Sequence, residues 1–189
     1  PRGANQDFGD SFSTKETNLD YAFIMRELGS ISIIGGKFNR SRYLWNPTDL
    51  MWDNDIRPEG VSVHYASENR IGRFWTNSGL WVLDEAANSE DDPFLFYQQI
   101  GQQFSVSQIS GRIAGTSYLY ADLNETSRFR ISEHSSGTNQ DDHLSGIQLS
   151  GELKFRSGAS QIGLMSDVVK NLETNSDENF AFSVGFKVL

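Results

Sequence analysis

Cysteine is absent from this chain, which excludes disulfides, thiolate metal sites and a cysteine nucleophile. Proline is scarce: there are four in 189 residues, and two of them, Pro47 and Pro58, fall in one segment. No run of about 18 apolar residues occurs, so no transmembrane helix is expected. Positive charge is in deficit. Sixteen Lys and Arg against 25 Asp and Glu leave a net charge of −9, which argues against a nucleic-acid surface. Hydrophobic residues are thin too, at 37%, and large side chains carry much of that share, with 13 Phe and 6 Tyr. The chain opens PRGANQDFGDSF, with no initiator methionine and no hydrophobic leader. That reads as a processed or trimmed end, and residues 1–17 read as a polar leader or loop.

What is present is alternation. In FAFSVGFKVL, Phe180, Phe182, Val184, Phe186 and Val188 share one face, opposite Ala181, Ser183, Gly185 and Lys187. In LSGIQLSGELKFR, Ile147, Leu149, Leu153 and Phe155 oppose Gln148, Ser150, Glu152, Lys154 and Arg156. In FLFYQQIGQQFSV, Phe94, Phe96, Ile100 and Phe104 oppose Tyr97, Gln99, Gly101, Gln103 and Ser105. Near the start, Leu19, Tyr21, Phe23 and Met25 alternate with Asp20, Ala22 and Arg26. A period of two over about ten residues is the mark of a half-buried strand. Nine such segments are expected, near 19–28, 30–37, 60–68, 71–83, 94–106, 109–121, 144–156, 159–170 and 179–189. Short turns (ENR, SQIS, RSGAS) alternate with long polar connections. Strands of about ten residues suit a tilted bilayer crossing, and short turns at one end with long loops at the other suit a transmembrane barrel. The fold class expected is therefore all-β: an antiparallel transmembrane β-barrel, or a large part of one, as a single domain over 1–189. Aromatics on the apolar faces (Tyr21, Phe23, Phe94, Phe96, Phe155, Phe180, Phe182) suit the girdles of such a barrel. A soluble β-sandwich alternates as well.

The longest informative segment is 38–59, FNRSRYLWNPTDLMWDNDIRPE, lying between two strand-like stretches. Loops of this length inside a domain are uncommon and are functional or disordered. Its aromatics speak against disorder. Arg40, Arg42 and Arg57 are expected to face Asp49, Asp53, Asp55 and Glu59 across an opening, as a constriction or plug. Structural salt bridges within the loop are the plainer reading of the same charges. Trp45 and Trp52 are expected to anchor the loop on the barrel wall. Asn46-Pro47 suits the start of a short helix, with Asn46 as N-cap. Asp53, Asn54 and Asp55 offer oxygens for Ca²⁺, but their spacing does not match an EF-hand.

These residues resemble a known family, the outer-membrane barrels of Gram-negative bacteria grouped as "putative porins". The likeness rests on Gly36-Lys37 ending one strand, the Trp52-Asp53-Asn54-Asp55 core of the loop, and Pro58-Glu59-Gly60 opening the next strand. SGLWVLDE, DDPFLFYQQIGQQF, GTSYLYADL and Ser166 to Asn171 continue it. The resemblance covers roughly 19–189, most clearly 29–122. It implies an outer-membrane porin for passive diffusion of small hydrophilic solutes or ions. It also implies contact with lipid and lipopolysaccharide, and the homotrimer that porins commonly form. The chain departs from the family in ending FKVL part-way along a strand, and nine is an odd strand number. Both features read as part of a barrel.

No cofactor is called for, and no catalytic set is expected. GxSxG and Walker-type loops are absent. His64, His134 and His143 have no metal-site or catalytic spacing. Glu90-Asp91-Asp92 and Asp141-Asp142 read as solvated loop charges. Arg26, Arg112 and Arg156 on polar strand faces suit a channel lining. The competing function is a secreted β-sandwich that binds carbohydrate through exposed Trp45, Trp52, Trp75 and Trp81.

Overall fold

A computed structural model describes residues 20–53, 56–83, 93–121, 145–158, 160–172 and 179–188. It contains one sheet of nine antiparallel strands in sequence order. They are β1 (Ala22–Leu28), β2 (Ile31–Lys37), β3 (Glu59–Asn69), β4 (Gly72–Val82), β5 (Phe94–Val106), β6 (Ile109–Ala121), β7 (Gly146–Ser157), β8 (Ser160–Asn171) and β9 (Phe180–Val188). These match the nine segments expected from the alternation. β1 and β9 do not pair among the described residues, so the sheet is open, as part of a barrel would be.

The hairpins at one end are as tight as hairpins become. Leu28 pairs with Ile31, Asn69 with Gly72, Val106 with Ile109 and Ser157 with Ser160. Two-residue turns of this kind favour positive φ, which matches the right-handed twist of the strands. Gly29 (φ 61°) and Gly158 (φ 59°) supply it without steric cost, while Ser107 (φ 54°) adopts it despite its Cβ. The other end carries every long connection: 38–58, 83–93, 122–145 and 172–179.

Two faces follow from the register. One carries the segment 38–58 and is called inner. It presents Ser32, Ser62, Asn77, Gln99, Thr116, Gln148, Ser150 and Asp167, all buried. The other, outer face presents Val61, Leu80, Phe96, Ile100, Ile113, Leu119, Leu149, Leu153, Leu164, Phe182 and Val184, all exposed. A water-soluble sheet puts its apolar side chains inside; this one has polar side chains covered and apolar ones bare. The polar residues on the outer face bond to one another. Ser78 Oγ donates to Gln98 Oε1, and Gln98 Nε2 donates to Thr76 Oγ1 at 2.7 Å.

The register corrects one face. Met25 pairs with Ile34 and Glu27 with Ser32, so Phe23, Met25 and Glu27 belong to the inner face. Ile24 (83% exposed), Arg26 and Leu28 belong to the outer one. Both parities of β1 are apolar, so alternation alone does not fix its orientation. Arg26 is therefore not on the polar face.

Candidate functional site

The inner face is organised by the loop between β2 and β3. A hydrophobic cluster seats it: Phe38, Tyr43 and Leu44 from the loop meet Ile34, Trp81, Leu95, Tyr97 and Tyr118 from the sheet. The aromatic rings meet edge-on or tilted. Phe38 lies 5.5 Å from Tyr43, and Trp81 lies 4.6 Å from Tyr97. Such pairs contribute roughly 0.5–1.5 kcal/mol each beyond the area they bury. Gly79 makes the packing fit, since a Cβ there would lie 2.3 Å from the Tyr97 ring.

A chain of hydroxyls runs beneath this cluster. Trp81 Nε1 donates to Ser62 Oγ at 2.9 Å, Ser62 lies 2.9 Å from Tyr97 Oη, and Tyr97 donates to the Tyr43 carbonyl at 2.8 Å. Tyr43 Oη in turn lies 3.0 Å from Ser32 Oγ on β2. Every member is buried, so each bond removes an unsatisfied polar atom that would cost about 1–3 kcal/mol.

Two polar clamps hold the loop at mid-strand. Gln99 on β5 accepts from the Trp45 backbone N–H (2.8 Å) and from Asn77 Nδ2 (3.2 Å). Its Nε2 donates to the Trp45 carbonyl and to Thr116 Oγ1, both at 2.7 Å. The second clamp is Asp167 on β8, wholly buried. It accepts from the Thr48 N–H (2.9 Å), Thr48 Oγ1 (2.5 Å), Gln148 Nε2 (2.8 Å) and Ser150 Oγ (2.5 Å). Sequence reasoning missed both residues. The signal for Asp167 was a carboxylate at a strand position whose neighbours across the ladder are Ser150 and Ser183.

The expected constriction residues separate into different roles. Arg40 does not face an opening: it is buried at the heart of the loop. It donates to the carbonyls of Leu44, Trp52 and Asp53 and to Asn46 Oδ1. Burial lowers its pKa from the ordinary arginine value, against the pull of Tyr118, Asp49 and Asp53. It remains a cation at neutral pH. Arg57 lies over the Tyr21 ring (5.1 Å) and 3.8 Å from Asp20. Glu59 pairs with Lys37 at 3.1 Å in the register row of the outer face, so it does not line the inner side. Asp49 and Asp53 are exposed, and Asp55 lies outside the described residues, as does Asn54. Arg42 alone among the three arginines stands on the inner face toward the hairpin end, bonded to Glu27 at 2.8 Å.

The helix expected at Asn46 does not form. Its amide is spent elsewhere: Oδ1 accepts from Arg40, and Nδ2 donates to the carbonyls of Thr48 and Trp52. A single 3₁₀ turn forms earlier, over Arg40–Arg42, capped by Asn39, whose side chain accepts from the Ser41 N–H at 2.8 Å. Trp45 packs on Trp75 (6.1 Å), and Trp52 packs on Trp81 (5.8 Å). All four tryptophans thus meet in pairs on the inner face. Trp75 and Trp81 are 5% and 1% exposed, which removes them as open platforms for sugar. His64 Nδ1–H donates to Asn77 Oδ1 (2.6 Å); His134 and His143 lie outside the described residues, as do both acidic loop clusters.

A cavity of about 370 Å³ lies beside the 3₁₀ turn, toward the hairpin end of β3–β6. Arg42, His64, Arg73 and Arg112 line it, with Trp45 and Trp75.

A family model described as "Putative porin" matches residues 1–182. The chain belongs to this family. Among curated proteins and solved structures, none matches it. Membership gives a porin-like role in general terms, that of a channel protein. The polar, loop-bearing inner face and the bare apolar outer face are thus features of a porin-family chain.

Proposed function

We propose that this porin-family protein is an outer-membrane pore that lets small hydrophilic solutes diffuse passively, with the loop after β2 as its constriction. The observation that carries this reading is the reversed sheet: exposed Leu, Ile, Val and Phe on the outer face, buried Ser, Asn, Gln, Thr and Asp on the inner. In lipid that arrangement is favourable, because apolar side chains meet acyl chains and polar ones meet a wet interior. In water it would leave a very large apolar face bare. The connections support it as well, with tight turns at one end and long loops at the other.

The loop is suited to narrowing a passage. It enters from the long-loop end and is clamped at mid-strand by Gln99 and Asp167. Arg40 holds its turns together from within, so it is rigid without needing the sheet for every bond. No bond is made or broken in this function, and no catalytic residue is assigned.

The test is conductance. Refolded protein, inserted in planar bilayers, is expected to give discrete current steps, and liposomes carrying it are expected to swell in small sugars. Folded, heat-modifiable protein that inserts and yet conducts nothing would overturn the reading.

A further inference from the structure

In a chain with a net charge of −9, three arginines and a histidine converge on one cavity. The residues that line it include no carboxylate. Like charges around a shared space repel one another unless something anionic enters it.

Each cation is held differently. Arg42 is partly offset by Glu27 at 2.8 Å. Arg112 lies 4.9 Å from the centre of the Trp45 ring and 3.4 Å from Gln103 Oε1, with Glu152 opposite it in the β6–β7 ladder. Arg73 is exposed and makes no ion pair among the described residues, although Glu68 stands opposite it in the β3–β4 ladder. His64, whose Nδ1–H donates to Asn77 Oδ1, is not counted among the cations.

Trp75 forms part of the wall and is 5% exposed. The ring is fixed in place by Gly101, whose missing Cβ would lie 2.2 Å from Trp75 Cζ2.

We infer that this cavity is a binding subsite for a small organic oxyanion, a carboxylate or phosphate group received by Arg42, Arg73 and Arg112. Guanidinium forks match such groups bidentately, and a volume of about 370 Å³ sits at the small end of ligand pockets. The subsite lies on the inner face below the loop. On the pore reading, it is therefore the first surface a solute meets after passing the constriction. That placement rests on the pore reading; the subsite itself does not.

Trp45 and Trp75 make the test spectroscopic. The refolded protein in detergent at low ionic strength is titrated with sodium succinate, sodium phosphate and sodium chloride at matched ionic strength, following tryptophan emission. A saturable change with succinate or phosphate, and none with chloride, is the expected result; whichever binds tighter identifies the head group. Arg73→Gln is expected to weaken binding by about tenfold or more, the factor that losing one charge-assisted hydrogen bond implies. Arg112→Gln should act likewise, and Arg73→Gln carries the test alone if that variant does not fold. An equal response to chloride, or undiminished binding in Arg73→Gln, would overturn the subsite. Conductance without oxyanion binding would defeat this inference alone; binding without conductance would defeat the pore reading alone.

Discussion

Ile100→Arg separates a lipid-facing sheet from a water-facing one by the size of its effect. Ile100 is the midpoint of β5 (Phe94–Val106), on the outer face and 53% exposed. A strand of that length rises about 3.3 Å per residue and, tilted by about 40°, spans roughly 30 Å of membrane. Its middle residue therefore lies near the bilayer centre. An arginine on the lipid face at that depth costs about 2–4 kcal/mol. On a surface bathed in water, the same change is worth within about 0.5 kcal/mol either way. Its nearest outer-face neighbours across the ladders, Thr76 and Gly115, provide no carboxylate to offset the charge. The assay is urea unfolding of protein refolded in phosphatidylcholine vesicles, followed by tryptophan emission. The four tryptophans all report on the inner face, the side of the sheet opposite the substitution. Ile100→Leu serves as the volume-conserving control. A loss below about 0.5 kcal/mol for the arginine variant, with insertion intact, would refute the face assignment.

Asp167→Ala removes the acceptor for Thr48, Gln148 and Ser150, and takes the partner from two buried donors and a half-buried one. A cost of about 3 kcal/mol is expected, with the loop loosened, because breaking a buried charged bond costs more than its net contribution. Urea unfolding measures the first effect, and limited proteolysis within 45–53 the second. Gly101→Ala is expected to displace the Trp75 ring, since its Cβ would overlap Cζ2 and Cε2. A destabilisation of about 1–3 kcal/mol and a shifted tryptophan emission maximum would follow.

Much of the fold was legible because a strand's side chains alternate and its turns are punctuated. Phe94, Phe96 and Ile100 on one side of β5, with Tyr97 and Gln99 on the other, declare both the strand and its two faces. The same logic fails in β1, where Phe23 and Met25 compete with Ile24 and Leu28, and only pairing with Ile34 and Ser32 decides. Tryptophan and charge marked 38–59 as an ordered loop, but not the work of each charge. Arg40 and Arg42 are two residues apart and alike in sequence; one is the buried hub of the loop, the other faces a cavity. That difference arises from folding of the loop onto itself through Asn46, which local propensity does not encode. Asp167 and Gln99 were missed for a related reason. Their partners, Thr48 and Trp45, lie 119 and 54 residues away. Arg73 escaped notice because its neighbours Trp45 and Arg112 come from other elements.

The central claim is that the apolar face meets lipid and the polar face meets water. Since the chain has no cysteine, single cysteines introduced for nitroxide labels report cleanly. Labels at Ile100, Leu149 and Phe182, outer-face positions, are compared in liposomes with labels at Arg73 and Gln103 on the inner face. The account predicts high oxygen and low nickel-chelate accessibility at the first three, and the reverse at the other two. Nickel-chelate access at Ile100, Leu149 and Phe182 would contradict it.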